Sequence, residues 1–334
     1  TAIAQKSNYA GSPHITDAIR LMAFDAWATE RTISRVILAS SNQPLAVCIG
    51  LWCERLNVEF EWRPKTKQSV HVSLVRRVYK VLPQALQTMA YLIFYFVDRW
   101  PLRGAGLKEW RQTNGQVTFF SYLSNLVPNA YNEGRFESRY WDILPAELQK
   151  KGCKTNWLHI YIKDQLHPTA SIAAQKINQF NQPGTGMQVH VTLDSFLSLR
   201  TGFRSLCDWL RLFWKGRRLE PEISAVSSNG LDLWPLYAKE WHNSMIGPRC
   251  LINTLYLNLF ETATKELPTQ QIGIYLYEQQ PWELALIRAW KASGHGRLIG
   301  AQHSTILYWD LRYFYDPRSY KQAGGKAFPM PTIV

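Results

Sequence analysis

Residues 271–320 read QIGIYLYEQQPWELALIRAWKASGHGRLIGAQHSTILYWDLRYFYDPRSY, and this stretch decides the fold. An apolar run over 272–277 stops at Glu278. A segment of helical period follows, with Trp282, Leu284, Leu286, Ile287 and Trp290 apolar, and it breaks at the Ser-Gly-His-Gly of 293–296. A second short apolar run, 298–301, ends at Gln302, His303 and Ser304. Strand, helix and strand in this order make a βαβ unit, whose two strands must run parallel. Ligands of open α/β sheets collect at the carboxyl ends of such strands. The reading therefore places Glu278 and His303 at one sheet edge, with Gln302 and Ser304 beside the histidine. A carboxylate and an imidazole so placed are suited to proton transfer or to positioning a sugar.

Outward from this unit the pattern recurs. A β-rich run at 35–41, helical spacing over 43–55 and a run at 58–62 form a second βαβ candidate, with Ser40, Ser41 and Asn42 at the strand end, able to cap the helix or hold a hydroxyl or phosphate. Residues 62–116 are basic and mostly helical. Strands are expected at 116–122 and 156–161, with helices at 140–151 and about 168–180, which again signals a parallel sheet. A Gln-Pro-Gly-Thr-Gly break at 182–186 precedes a long aromatic-rich helix at 196–214 and a surface turn at 215–221. Asp232 lies in an irregular stretch before helical spacing resumes over 235–265. The expected architecture is a doubly wound α/β domain with a large helical insertion, covering residues 1–320. A new strand at 328 would open a second, C-terminal domain over 321–334, most of which is absent from the sequence.

Lys and Arg number 38 against 25 Asp and Glu, a net charge of +13. That excess favours an anionic partner: a nucleotide-activated substrate, nucleic acid or anionic lipid. A nucleic-acid-binding protein would concentrate basic and aromatic residues on one element. Here both are spread along the chain, so nucleic acid is not the expected partner. Fourteen Trp and sixteen Tyr lean toward a sugar or nucleotide ligand, because aromatics with a polar edge line such surfaces. Five scattered cysteines without a CxxC pair argue against a disulfide scaffold or a zinc site, and point to a reducing cytoplasm. The apolar stretch at 82–97 is too short to span a bilayer. Flanked by Arg76, Arg77, Lys80 and Arg99, it could lie on an anionic membrane surface or be buried as an ordinary core helix.

The segments YLYEQQPWELALIRAW and GHGRLIGAQHSTILYWDLRYFYDPRSY resemble a family of bacterial surface-carbohydrate biosynthesis proteins. NGLDLWPL at 229–236, WHNSMIG at 241–247 and YNEGRFESRYWDIL at 131–144 carry the likeness further. These proteins are similar to GT-B-type glycosyltransferases of lipopolysaccharide and O-antigen assembly, and more distantly to transferases that use CMP-activated Kdo or sialic acid. The resemblance implies a Rossmann-like parallel sheet with helices on both faces. It also implies transfer of an acidic sugar, Kdo for instance, from a CMP-sugar donor to a glycan or lipid-linked glycan acceptor. Asp232 then corresponds to the aspartate nucleophile of a retaining, covalent mechanism, and His303 to a strand-end histidine.

Arg135, Arg139 and Arg312 are candidates to bind a donor phosphate or the carboxylate of an acidic sugar, since a guanidinium matches both geometries. Glu133 and His159 are weaker candidates. The sequence has no GxxxxGK[ST], HExxH or GxSxG, and no DxD pair. Catalysis without a metal or other cofactor is the simpler expectation. The rival readings are a non-catalytic glycan-binding or assembly module and a nucleic-acid-binding protein.

Overall fold

The computed structural model describes residues 13–65, 74–182, 187–225, 230–302, 305, 306, 313 and 328–334. The chain forms two compact units. One comprises the segment up to Met89 and Trp209–Cys250, the other Ala90–Asp208, Leu251–Ile306 and the C-terminal residues from 328.

In the first unit, β1 (Arg35–Ala39), α2 (Gln43–Arg55) and β2 (Glu59–Arg63) form the expected βαβ, a parallel pair with Arg35 opposite Glu59. Asn42 caps α2 by accepting from the Leu45 N–H at 3.5 Å and donates to Asp17 at 2.5 Å. The capping role alone accounts for it. Helix α1 (Pro13–Ala28) packs Ala18 and Leu21 against Trp52 of α2.

The second unit carries the principal sheet, five strands in the order β5-β4-β3-β6-β7, every pair parallel. These are β3 (Val117–Tyr122), β4 (Thr155–Ile160), β5 (Gln188–Thr192), β6 (Ile272–Leu276) and β7 (Arg297–Ala301). Strands β3 and β4 are buried along almost their whole length, which is why they read as continuous runs and not as alternation. Successive side chains point to opposite faces, and both faces are covered. Phe119 stacks on Trp157 at 4.3 Å in a cluster that includes Ile177 and Phe180 of α8 (Ala170–Phe180). Its neighbour Phe120 meets Phe260 of α11 (Pro248–Glu266) and, edge-on at 5.5 Å, Trp290 of α12 (Pro281–Ala292). The result is an α/β, Rossmann-like sheet with helices on both faces.

Between β4 and β6 the sequence reading needs correction. Strand β5 was not anticipated. The segment 215–221 is not a turn but part of α9 (Leu199–Ser224), which carries Pro221 inside it. The helical run at 235–265 is two helices, α10 (Trp234–Met245) and α11, separated at Ile246 and Gly247, whose N–H groups both reach the His242 carbonyl at 2.8 and 2.9 Å. Helices α9 to α11 are the helical insertion, and it falls between β5 and β6. After α3 (Leu74–Val81), residues 82–97 contribute to α4 (Gln84–Arg99), and the short helices α5 (Leu107–Arg111), α6 (Pro128–Asn132) and α7 (Leu144–Lys150) flank β3. No helix among the described residues is long and apolar enough to cross a membrane. In place of a new strand at 328, a single parallel bridge joins Ile333 to Ile299 of β7.

Candidate functional site

Strand order locates the site. From β3 the chain moves outward to β4 and β5, then returns to lay β6 on the other side of β3. The reversal between β3 and β6 is a topological switch point, and the crevice beyond the carboxyl ends of those two strands is where ligands bind in such sheets. Tyr122 ends β3, and Glu278 stands two residues past the end of β6. The two side chains meet: the Tyr122 hydroxyl donates to Glu278 Oε2 at 3.0 Å and accepts from the Trp282 indole N–H at 3.1 Å. Burial, and next the negative charge of Glu278, push the Tyr122 phenol up, so it remains a proton donor.

The turn that presents Glu278 is held from beneath. Gln279 adopts a left-handed conformation, φ 60°, rare outside Gly and Asn. A capping box then starts α12: Gln280 at the cap, Pro281 in the first turn, and Glu283, whose Oε1 accepts from the N–H groups of Glu278 at 3.0 Å and Gln280 at 2.7 Å. Glu283 is only 2% exposed. Burial raises its carboxyl to about 8, the charge of Glu278 adding to the effect against the backbone N–H groups that oppose it. Its second oxygen, Oε2, has no hydrogen-bond partner among the described residues.

Strand β7 lies beside β6 with Leu276 opposite Ala301, and exposed Gln302 follows Ala301 directly, so Glu278 and Gln302 stand at the same carboxyl edge. His303, Ser304 and Arg312 lie outside the described residues.

A cleft of about 610 Å³ opens in the same unit, lined among others by Arg135, Arg139, Asp142, Gln149, Gln188 and His190. Two of the arginines singled out from sequence therefore share one cleft. Arg135 is held by Glu133 at 2.6 Å and by Glu137. Arg139 has no ion-pair partner among the described residues. Tyr140, next in the chain, carries its ring to 6.2 Å from that of Tyr122.

His159 and His190 are stacked within 4° of parallel, with His159 Nε2 and His190 Nδ1 3.1 Å apart, and Phe136 tilts against both. Burial drives His159 down to about 3 and His190 well below the usual imidazole range, so both are neutral. His159 is thus a core residue of this stack. On acidification below about 6.5 the unfolded chain takes up protons that the folded pair refuses, so stability falls with pH. The slope should approach roughly 2.7 kcal/mol per unit for two such groups. Urea unfolding of the wild type and of a His159→Phe, His190→Phe double variant between pH 6.5 and 5 checks this; parallel profiles would refute it.

Asp232 belongs to the first unit. Its Oδ1 accepts from the Trp234 N–H at 2.9 Å and so fixes the start of α10, between the buried Leu231 and Leu236. The sequence reading missed Tyr122, Trp282 and Glu283. For Glu283 the signal was present as Gln280-x-x-Glu283, a capping-box spacing. For Tyr122 no signal existed without the strand order.

Comparisons with protein-family models, with curated proteins and with solved structures find no match. Among the described residues, no group of three or more His, Cys, Asp or Glu side chains is placed to hold a metal ion.

Proposed function

We propose that the chain is a glycosyltransferase of bacterial surface-polysaccharide synthesis, transferring an acidic sugar such as Kdo from a CMP-linked donor to a glycan acceptor. The observation that carries this reading is Glu278, half-buried at the switch point and hydrogen-bonded by the Tyr122 hydroxyl, in a unit that also carries a cleft lined by Arg135 and Arg139. The sequence resemblance supplies the donor class.

In this scheme Glu278 is the general base. It takes the proton of the acceptor hydroxyl as that oxygen bonds to the anomeric carbon, while the bond from that carbon to the donor phosphate oxygen breaks and CMP leaves with the electron pair. The Tyr122 hydroxyl orients the carboxylate. Arg139, with Arg135 beside it, binds the sugar carboxylate or the phosphate. Asp232 is engaged at the start of α10 and takes no chemical step, so Asp232→Asn should keep turnover within a few-fold of wild type. Trapping a glycosyl adduct on the peptide containing Asp232 would instead make it the nucleophile.

Thermal shift tests the donor. CMP should raise the melting temperature more than UDP, GDP or ATP at equal concentration, because a ligand at a hundred times its Kd adds about 2.7 kcal/mol to the stability of the folded state. Equal shifts for all four remove the CMP assignment. Tight CMP-sugar binding with no transfer to any acceptor would make the chain a glycan-assembly module instead of an enzyme.

A further inference from the structure

We propose that one face of the second unit, formed by α4 from Ala90 onward and the start of α9, docks on an anionic lipid surface. Ile93, Phe94 and Val97 on α4 are 63%, 78% and 73% exposed, and Leu199 and Phe203 on α9 are 78% and 70% exposed. Each set lies at helical spacing, so each is a stripe along one side of its helix. The helices touch between the stripes: a Cβ on Gly202 would lie 2.6 Å from Phe96 Cζ, so the ring of Phe96 packs directly on the α9 backbone there. The five side chains therefore border one contact and form one patch. Single exposed apolar residues are ordinary, but bulky ones gathered on one face mark a surface that is covered in use.

Charge identifies what covers it. Each apolar residue on the α9 stripe is followed by a base, Leu199-Arg200 and Phe203-Arg204, and the helix sequence keeps the rhythm with Leu210-Arg211 and Trp214-Lys215. At the end of α4, Trp100 is 39% exposed and the Arg103 guanidinium lies 4.9 Å over its ring. Arg204 is paired with Glu261 at 2.5 Å, and Asp98 with Lys163 and Arg99, so the bases of this face without an ion-pair partner among the described residues are Arg200 and Arg103. Apolar side chains level with arginines, beside a tryptophan, fit the boundary between acyl chains and anionic headgroups, where aliphatic groups enter the lipid and guanidinium groups meet phosphate. A net charge of +13 draws the whole protein to the same surface. This inference does not depend on the glycosyltransferase reading.

Co-sedimentation of the full chain with vesicles tests it. The protein should pellet with phosphatidylcholine vesicles containing about one-third phosphatidylglycerol, far less with phosphatidylcholine alone, and progressively less as salt rises. Phe94→Ser combined with Phe203→Ser should weaken partitioning at least about tenfold, since each exchange withdraws an aromatic ring from the lipid. Both positions are exposed, so an unchanged melting temperature confirms that the variant is folded. Failure of the wild type to pellet with the mixed vesicles, or equal pelleting by the variant, overturns the proposal. So does a wild type that is dimeric without lipid while the variant is monomeric, because the face is then an interface between copies.

Discussion

Glu278→Gln is expected to reduce glycosyl transfer by roughly three orders of magnitude, the usual range for loss of a general base being about 10²–10⁴. The amide matches the carboxylate in size, and its oxygen still accepts the Tyr122 hydroxyl that lies 3.0 Å from Glu278 Oε2. The turn is held through the Glu278 backbone N–H, which donates to Glu283 Oε1 at 3.0 Å and is untouched by the exchange, so its geometry should survive. The melting temperature should move by no more than a few degrees, and donor affinity should stay close to wild type. The loss then falls on kcat, the signature of a group that acts in the transition state and not in ground-state binding. Tyr122→Phe removes the orienting hydroxyl alone and should cost less, on the order of tenfold. Near-normal turnover of a folded Glu278→Gln variant would remove the glutamate from the mechanism.

The β6-α12-β7 unit was legible because three local signals agree there: an apolar run of strand length, Pro281 beginning a helical period, and a Gly-rich break before the next run. Glu278 could be found from sequence for that reason, since it directly follows the apolar run of 272–277. Its partner could not. Tyr122 is the last residue of another strand, and only the order β3 beside β6 brings the two together, a long-range pairing that periodicity does not encode. Strand β5 was obscured by its own polar residues: His190 reads as an interruption until it is seen stacked on His159 of the neighbouring β4. Helix α9 was cut short because Gly216 and Pro221 resemble a turn. Tertiary packing overrides that local preference, since the α-carbon of Gly216 abuts Met245, where a Cβ would come within 2.7 Å. The cleft was partly legible, through the arginines at 135 and 139, whereas the Gln188 and His190 that line it come from the strand that was missed.

A second large effect concerns Glu283 and the pH dependence of stability. Burial holds its carboxyl near 8 in the folded chain, against an ordinary value of 4.5. The folded protein therefore keeps a proton that the unfolded chain has released throughout this interval, and stability must fall as pH rises across it. The difference corresponds to roughly 4–5 kcal/mol, present in full below pH 4.5 and lost by about pH 8. Glu283→Gln should abolish this slope, since a neutral amide can accept the same two backbone N–H groups at its oxygen. The histidine pair acts only below about 6.5, and the buried thiols of Cys48, Cys53 and Cys250 contribute equally to both proteins, so the difference between wild type and variant in urea unfolding at pH 7 and 8.5 isolates the glutamate. The wild type should lose more stability between those two points than the variant, which becomes the more stable protein at the alkaline end. Identical profiles would show that Glu283 ionises normally despite its burial. The same titration bears on function, because Glu283 carries the turn that presents Glu278. Its ionisation would set a second negative charge beside the base, so wild-type turnover should decline above pH 8 while that of Glu283→Gln holds level.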